Sequence, residues 1–360
     1  VTSVLIVGAG IMGSAIAREL AHRGCSVRVL EKSIPGAEAS SVAAGILAPH
    51  VEHDDGPLRA LGIASRDAYE SLAQSLREET GIDVGFVRSG VLVLSNDVEI
   101  GRQLAVRYDG WLDARDVRRL EPALGDGVVG GWRHADEAQV DPPHVLRALV
   151  QSAERSGARF TSGAAVTGLA RRGDRIVGVE TDHGVVDADH VILAAGAWTS
   201  RVPGLPRVLA SAVSPVRGQL LRAELRAPIV RHILYSEAGY IVPRPDGRVV
   251  IGATMEEAGF TKEVTLGAVA TLSAHATRIV PALASARFVE ADVSFRPASI
   301  DGLPLIGRTA LDGLWLATGH FRNGILLAPA TATMIASLIT DSTPAHDPRP
   351  FDPRRLGDAA

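Results

Sequence analysis

Three glycines stand at Gly8, Gly10 and Gly13, directly after the apolar run Val4-Leu5-Ile6-Val7. This spacing suits phosphate chemistry. The first glycine permits a tight turn, the second lets backbone approach a pyrophosphate, and the third lets a helix pack closely on its strand. Glu31 lies 18 residues beyond Gly13, where a carboxylate can accept hydrogen bonds from ribose hydroxyls. A second segment of similar character lies near the other end. There Leu316-Ala317-Thr318 runs into Gly319-His320-Phe321-Arg322-Asn323-Gly324 and then into an apolar stretch from Ile325. A strand feeding a glycine-flanked turn and a helix aims unpaired N–H groups and a helix dipole at an electron-rich group. Two such helix starts predict one extended cofactor held at both ends, with a pyrophosphate at one and a reducible ring at the other. FAD fits that description, although the glycines alone do not separate it from NAD.

The segment Ala39-Ser40-Ser41-Val42-Ala43-Ala44-Gly45-Ile46-Leu47 strings small residues together after Glu31-Lys32-Ser33. Such a run makes a poor helix surface and a good wall for a flat ring. The competing reading is a helix packed closely on a sheet. Val191-Ile192-Leu193-Ala194-Ala195-Gly196-Ala197-Trp198 reads as a strand ending in small residues, either passing the nucleotide or forming plain core.

Regular elements must position these segments. Ser3–Val7, a helix over 11–23 stopped by Gly24, and a strand over Ser26–Glu31 make a β-α-β unit. Periodicity predicts helices over 58–79, 142–156, 265–279 and Gly324–Ile339, and strands over 85–94, 288–299 and 314–317. Residues 166–195 read as short strands with turns at Arg172-Gly173-Asp174 and Asp182-His183-Gly184. Residues 215–252 are strand-rich, broken at Pro228 and at Pro245-Asp246-Gly247. The β-α-β pieces cluster at the two ends, with antiparallel-looking runs between them. The predicted fold is α/β (α+β overall), with a discontinuous Rossmann-like FAD-binding domain at 1–80, 140–210 and 297–341. An inserted antiparallel-sheet substrate domain takes 81–139 and 211–296. The Pro-, Asp- and Arg-rich residues 342–360 predict a surface tail with little regular structure.

A net charge of −4 and scattered arginines give no footprint for nucleic acid or an anionic membrane. Of the 37 basic residues only Lys32 and Lys262 are lysine. Cys25 is the single cysteine, so an intrachain disulfide and a CxxC site are excluded. With no cysteine near the C-terminus to tether a flavin, non-covalent FAD is expected. The strand at Ser3 leaves no room for a signal peptide, and no apolar run is read as approaching membrane-spanning length. The expectation is a cytoplasmic protein without membrane insertion. His50, His53, Asp54 and Asp55 crowd one stretch, but no other segment offers a completing ligand, so a solvated loop and no metal are expected. His134, His144, His183, His190 and His275 read as isolated.

Further motifs are Val140-Asp141-Pro142, Ser214-Pro215-Val216-Arg217-Gly218-Gln219, Gly239-Tyr240-Ile241-Val242-Pro243-Arg244, Ile251-Gly252-Ala253-Thr254-Met255 and Arg296-Pro297. With residues 8–13, 39–47 and 319–331 they span nearly the whole chain. On them the chain resembles the D-amino-acid oxidase family of flavoproteins, and within it the branch acting on glycine in thiamine synthesis. The resemblance implies oxidative deamination of glycine or a small D- or N-methyl amino acid, by hydride transfer from Cα to flavin N5. The products would be an imine, then an oxo acid and ammonia or amine, with oxygen as acceptor giving hydrogen peroxide. It also allows a homo-oligomer.

The same resemblance places the substrate carboxylate on Tyr240 and Arg296, with Arg322 over the flavin and Met255 as an adaptable pocket wall. It places FAD contacts at Ile11, Met12, Glu31, Lys32, Ala39, Ser40, Ala44, Gly45, Ile46 and Val166, and a flavin-facing loop at His320, Phe321, Arg322, Asn323, Gly324, Ile325 and Leu326. From residue type alone, Arg296 and Tyr240 read equally as a surface arginine and a half-buried strand tyrosine. Three departures from the family pattern stand out. Ala238 replaces a histidine, Ile46 replaces a methionine, and the stretch between Asn96 and Trp111 is short. Ala238 and Met255 together predict a roomier, more apolar pocket favouring small D-amino acids. A dehydrogenase passing electrons to a quinone, and a non-catalytic dinucleotide-binding protein, remain the alternatives.

Overall fold

The apolar run after Thr2 becomes Ser3–Val7, a buried strand of a six-stranded sheet, in a computed structural model that describes residues 1–52 and 55–357. Its order is Leu305–Arg308, Leu314–Thr318, His190–Leu193, Ser3–Val7, Ser26–Glu31, Arg159–Ser162. All neighbours pair in parallel except the edge strand Leu305–Arg308. The central strands, largely buried on both faces, read as apolar runs in the sequence, whereas the exposed edge strand Arg159–Ser162 does not. Helices Ile11–His22, Pro57–Thr80, Pro142–Arg155 and Gly324–Ile339 share the main core on one face. A second core lies under the three-stranded antiparallel sheet of Val166–Arg172, Arg175–Thr181 and Gly184–Asp187.

An eight-stranded sheet takes Arg287–Ser299, Val213–Glu224, Arg248–Gly252, Gly239–Pro243, Ile233–Ser236, Val91–Ser95, Gly130–His134 and Leu112–Asp113, in that order. It is not wholly antiparallel as expected. Ile233–Ser236 runs parallel to Val91–Ser95, because the two arrive from chain segments too far apart for a hairpin. One face packs on helix Leu266–Ile279, and the other meets Ala44.

The predicted strand over 85–94 shortens to Val91–Ser95, since Gly85 and Gly90 adopt φ of 65° and 67° and break the extended run. Helices Val98–Arg107 and Ala114–Leu120 were not among those predicted from periodicity. Asp97 and Asp113 start them by accepting hydrogen bonds from the first-turn N–H groups. The tail is more ordered than expected. Phe351 is 2% exposed within the main core, and Arg355 donates two hydrogen bonds to Asp301, at 2.7 and 3.0 Å.

Contrary to the reading that no run approaches membrane-spanning length, Phe321–Ile339 is long and apolar enough by length and composition, and 78% of it is buried inside the fold. A helix apolar all round is what a fully packed core position demands. Pro329 interrupts it without breaking it. Proline has no N–H for the Ile325 carbonyl, and Tyr69 Oη donates to that carbonyl instead, at 2.5 Å. Ala330 N–H turns to Ser65 Oγ at 3.2 Å.

Candidate functional site

A cavity of about 540 Å³ runs from the Gly10 turn, along residues 39–46, to the face of the eight-stranded sheet. The turn that opens it is built by sterics. Gly8 has φ +104°, and a Cβ there would stand 2.7 Å from the Ala194 carbonyl oxygen. A Cβ on Gly13 would stand 1.9 Å from the Gly8 oxygen, so Gly13 serves helix–strand packing and does not line the cavity. Ser40 Oγ accepts from Ile11 N–H at 2.8 Å and fixes the helix start against the small-residue segment. Glu31 accepts from Ala9 N–H and Ser33 N–H, both at 2.9 Å. A carboxylate so held keeps further lone pairs for ribose hydroxyls.

Helices Ile11–His22 and Gly324–Ile339 both begin at this cavity. The N-cap residues Gly10 and Asn323 make no side-chain cap, and neither helix has an acid in its first turn. Two helix starts, a glycine cradle and a carboxylate on one elongated cavity fit a dinucleotide carrying a reducible ring. Ile11, Met12, Lys32, Ala39, Ala44, Gly45, Ile46, Val166, His320, Phe321, Asn323 and Ile325 also line it. Leu326 does not. Its side chain is 1% exposed and belongs to the helical core. His320 is buried, with Nε2 3.0 Å from Thr331 Oγ1, and burial lowers its pKa to about 3. A neutral imidazole there is a structural group.

At the far end Tyr240 and Arg296 meet over two glycines. A Cβ on Gly218 would lie 2.3 Å from Arg296 Nη1, and one on Gly252 would lie 2.5 Å from Tyr240 Oη. These glycines, unassigned in the sequence, are what let the two side chains lie flat on the sheet. Arg296 Nη1 donates to the Thr254 carbonyl at 3.0 Å. Burial pushes the Tyr240 phenol up in pKa, against the opposing pull of Arg296, so it remains a donor at neutral pH.

Arg322 also lines the cavity, but sequence reasoning missed its partner. Arg322 Nε lies 3.0 Å from Glu52 Oε2, and Nη2 donates to Oε1 at 3.1 Å. Tyr235 Oη donates to the same Oε1 at 3.0 Å and also meets Arg322 Nη2. Glu52 carries no local signal, because its partners Tyr235 and Arg322 lie 183 and 270 residues further along the chain.

Met255 is 64% exposed and does not line the cavity, and Ala238 sits exposed in the turn between Ile233–Ser236 and Gly239–Pro243. The expected roomier pocket therefore does not come from these two residues. His50 is not solvated as expected. Its Nδ1 lies 2.7 Å from Oε1 of the fully buried Glu137, and its ring stacks on His134 at 3.9 Å. His134 is thus not isolated, and a completing set of donors exists after all: one ligand atom from each of His50, His134 and Glu137 falls within 4.8 Å of the others. Arg66 pairs with Glu137 Oε2 at 3.1 Å and with Asp67 at 2.9 Å. Asp55 is exposed and pairs with Arg59; His53 and Asp54 lie outside the described residues.

A family model described as FAD dependent oxidoreductase, DAO, matches residues 3–338. The bifunctional protein ThiO/ThiG of Trichormus variabilis is 38% identical over 94% of this chain and 52% of its own length. The chain therefore spans about half the length of that relative. The glycine oxidase of Pseudomonas aeruginosa is 36% identical over 97% of this chain and 98% of its own. The crystal structure of glycine oxidase from Geobacillus kaustophilus superposes with a TM-score of 0.91 at 32% identity, covering 98% of each chain. With the motifs, the cavity and these likenesses in agreement, the chain belongs to the FAD-dependent oxidoreductases of the D-amino-acid oxidase family.

Proposed function

We propose that this chain oxidises glycine or another small α-amino acid, using FAD bound without a covalent link. The observation that carries this reading is the Tyr240–Arg296 pair lying over Gly218 and Gly252 at one end of the cavity. FAD, when bound, supplies the hydride acceptor. The chain's own part is positioning. Arg296 can present two parallel donors to a carboxylate, and the Tyr240 hydroxyl adds a third. Anchoring that carboxylate fixes which face of Cα is turned to the cofactor, and orientation of this kind is worth several orders of magnitude in rate. Loss of hydride from a neutral amine calls for no nucleophile and no strong base, which agrees with the neutral His320. The imine then hydrolyses to an oxo acid and ammonia. The start of helix Gly324–Ile339 would stabilise negative charge developing on the reduced ring.

In this reading residues 1–80, 140–210 and 297–341 hold FAD, and residues 81–139 and 211–296 hold the substrate. Cys25, partly buried and away from the cavity, offers no covalent link. The test is anaerobic mixing of FAD-loaded protein with glycine, sarcosine and small D- and L-amino acids, following loss of the yellow absorbance. Admitting oxygen and assaying peroxide then tests the acceptor. Bleaching by glycine or D-alanine, with recovery and peroxide in air, is expected. A flavin that no amino acid bleaches would overturn the proposal, and bleaching without peroxide would replace oxygen by another acceptor.

A further inference from the structure

Behind the cavity wall lies a cation that the proposed chemistry does not use. Arg244 is 5% exposed, and its guanidinium makes two hydrogen bonds, to Gln139 Oε1 and, at 2.7 Å, to the carbonyl of Ala44. Neither acceptor is a carboxylate. The two acids whose fields reach it, Asp141 and Asp246, each accept instead from Arg248, both at 2.8 Å. Burial lowers the Arg244 pKa to about 10, so the group still carries its charge at neutral pH. A buried guanidinium without a contacting carboxylate is costly, and its field is poorly screened.

The peptide it holds is part of the wall. Ala44, Gly45 and Ile46 line the cavity. The Ala44–Gly45 bond is trans, and a planar trans peptide points its C=O and N–H to opposite sides. With the Ala44 carbonyl turned back to Arg244, the Gly45 N–H is turned the other way, and it meets no acceptor among the described residues. A second arginine makes the contrast. Arg222 donates to the Ser41 carbonyl at 2.9 Å, yet its Nε is paired with Asp292 at 2.6 Å, so its charge is cancelled on the spot.

We propose that Arg244 is a positioning residue that fixes the Ala44–Gly45 peptide and makes bound FAD easier to reduce. This rests on the FAD reading above. Its charge, which no carboxylate contacts, polarises the peptide and stands as a buried guanidinium behind that cavity wall, which favours the more negative, reduced cofactor. The charge of Arg244, and not mere support of the wall, carries the effect.

The experiment is an equilibrium reduction of FAD-loaded protein against a reference dye. Gln139→Glu puts a carboxylate against Arg244 with little change of shape. It is expected to shift the oxidised-to-reduced equilibrium at least tenfold toward oxidised, about 30 mV for a two-electron couple. Arg244→Met should shift it further, and Arg244→Lys should retain most of the wild-type value. Arg222→Met should leave the potential unchanged while loosening FAD. An unchanged potential in Gln139→Glu, or equal shifts in Arg222→Met and Arg244→Met, would overturn the proposal. Should Arg244→Met fail to hold FAD, Gln139→Glu and Arg244→Lys decide. Wild-type protein that binds no FAD would instead defeat the functional reading itself.

Discussion

At one end of the cavity Gly8, Gly10, Glu31 and Ser40 all fall within residues 8–40; Glu31 and Ser40 accept from the Ala9 and Ile11 N–H groups, and Gly8 clears the Ala194 carbonyl. At the other end Glu52, Tyr235, Tyr240, Arg296 and Arg322 come from five separate elements. The first end is a backbone device: glycines, helix N–H groups and one carboxylate. The second is a side-chain device whose parts meet only after the sheets have formed. A backbone site tolerates side-chain changes that keep its turns. A side-chain site fails with the loss of one group or one clearance.

The sharpest way to break this contrast is Arg296→Ala. It leaves the substrate carboxylate in a partly dry site without its bidentate partner, a loss on the order of 2–5 kcal/mol. We expect kcat/KM for amino acids to collapse, with inhibition by simple carboxylates lost and FAD occupancy retained. Arg296→Lys should rescue poorly, because an ammonium cannot offer two parallel donors. Near-normal activity in the alanine variant would remove Arg296 from the proposed site.

Gly252→Ala probes the clearance. The new Cβ would lie 2.5 Å from Tyr240 Cε2, Cζ and Oη, so the phenol has to move. A misplacement of about 1 Å can cost on the order of 100-fold in rate. The measurement is kcat/KM beside the FAD dissociation constant, with the first expected to fall and the second to hold. A matched loss in both would mean that Gly252 supports the fold as a whole.

Glu31→Ala attacks the opposite end and should give the opposite pattern. Removing a charged acceptor of hydrogen bonds costs on the order of 1.5–3 kcal/mol. Here the carboxylate also ties Ala9 and Ser33. FAD should bind more weakly, while substrate selectivity among FAD-loaded molecules stays unchanged. A shift in selectivity with full FAD occupancy would show that the two ends are not independent.

The same contrast explains what could be read from the chain. The Gly8–Glu31 unit was legible because its partners are close in sequence and its strands are buried on both faces. The parallel pairing of Ile233–Ser236 with Val91–Ser95 left no local mark, since register across such a separation is set by tertiary packing. Gly218 and Gly252 looked like ordinary strand glycines until a Cβ was placed against Arg296 and Tyr240. Glu52 lies beside a run of histidines and aspartates that read as a solvated loop. His50 in fact turns inward to Glu137, a partner no spacing rule could supply.

The smallest effect belongs to a residue that looked important on sequence grounds. Ala238 was expected to open the pocket beside Tyr240, since it stands where the family pattern has a larger, more polar histidine. It sits in the turn instead, exposed, and a side chain there projects outside the cavity lining. Ala238→His should therefore change the ratio of kcat/KM for glycine over D-alanine by no more than about 0.5 kcal/mol, the range of a surface substitution away from special features. Groups that do line that end, such as Glu52, Tyr240 and Arg322, are where the ratio should respond. If Ala238→His shifts the ratio tenfold or more toward glycine, then that turn folds over the substrate during turnover. The side-chain end of the cavity would then extend to a sixth element.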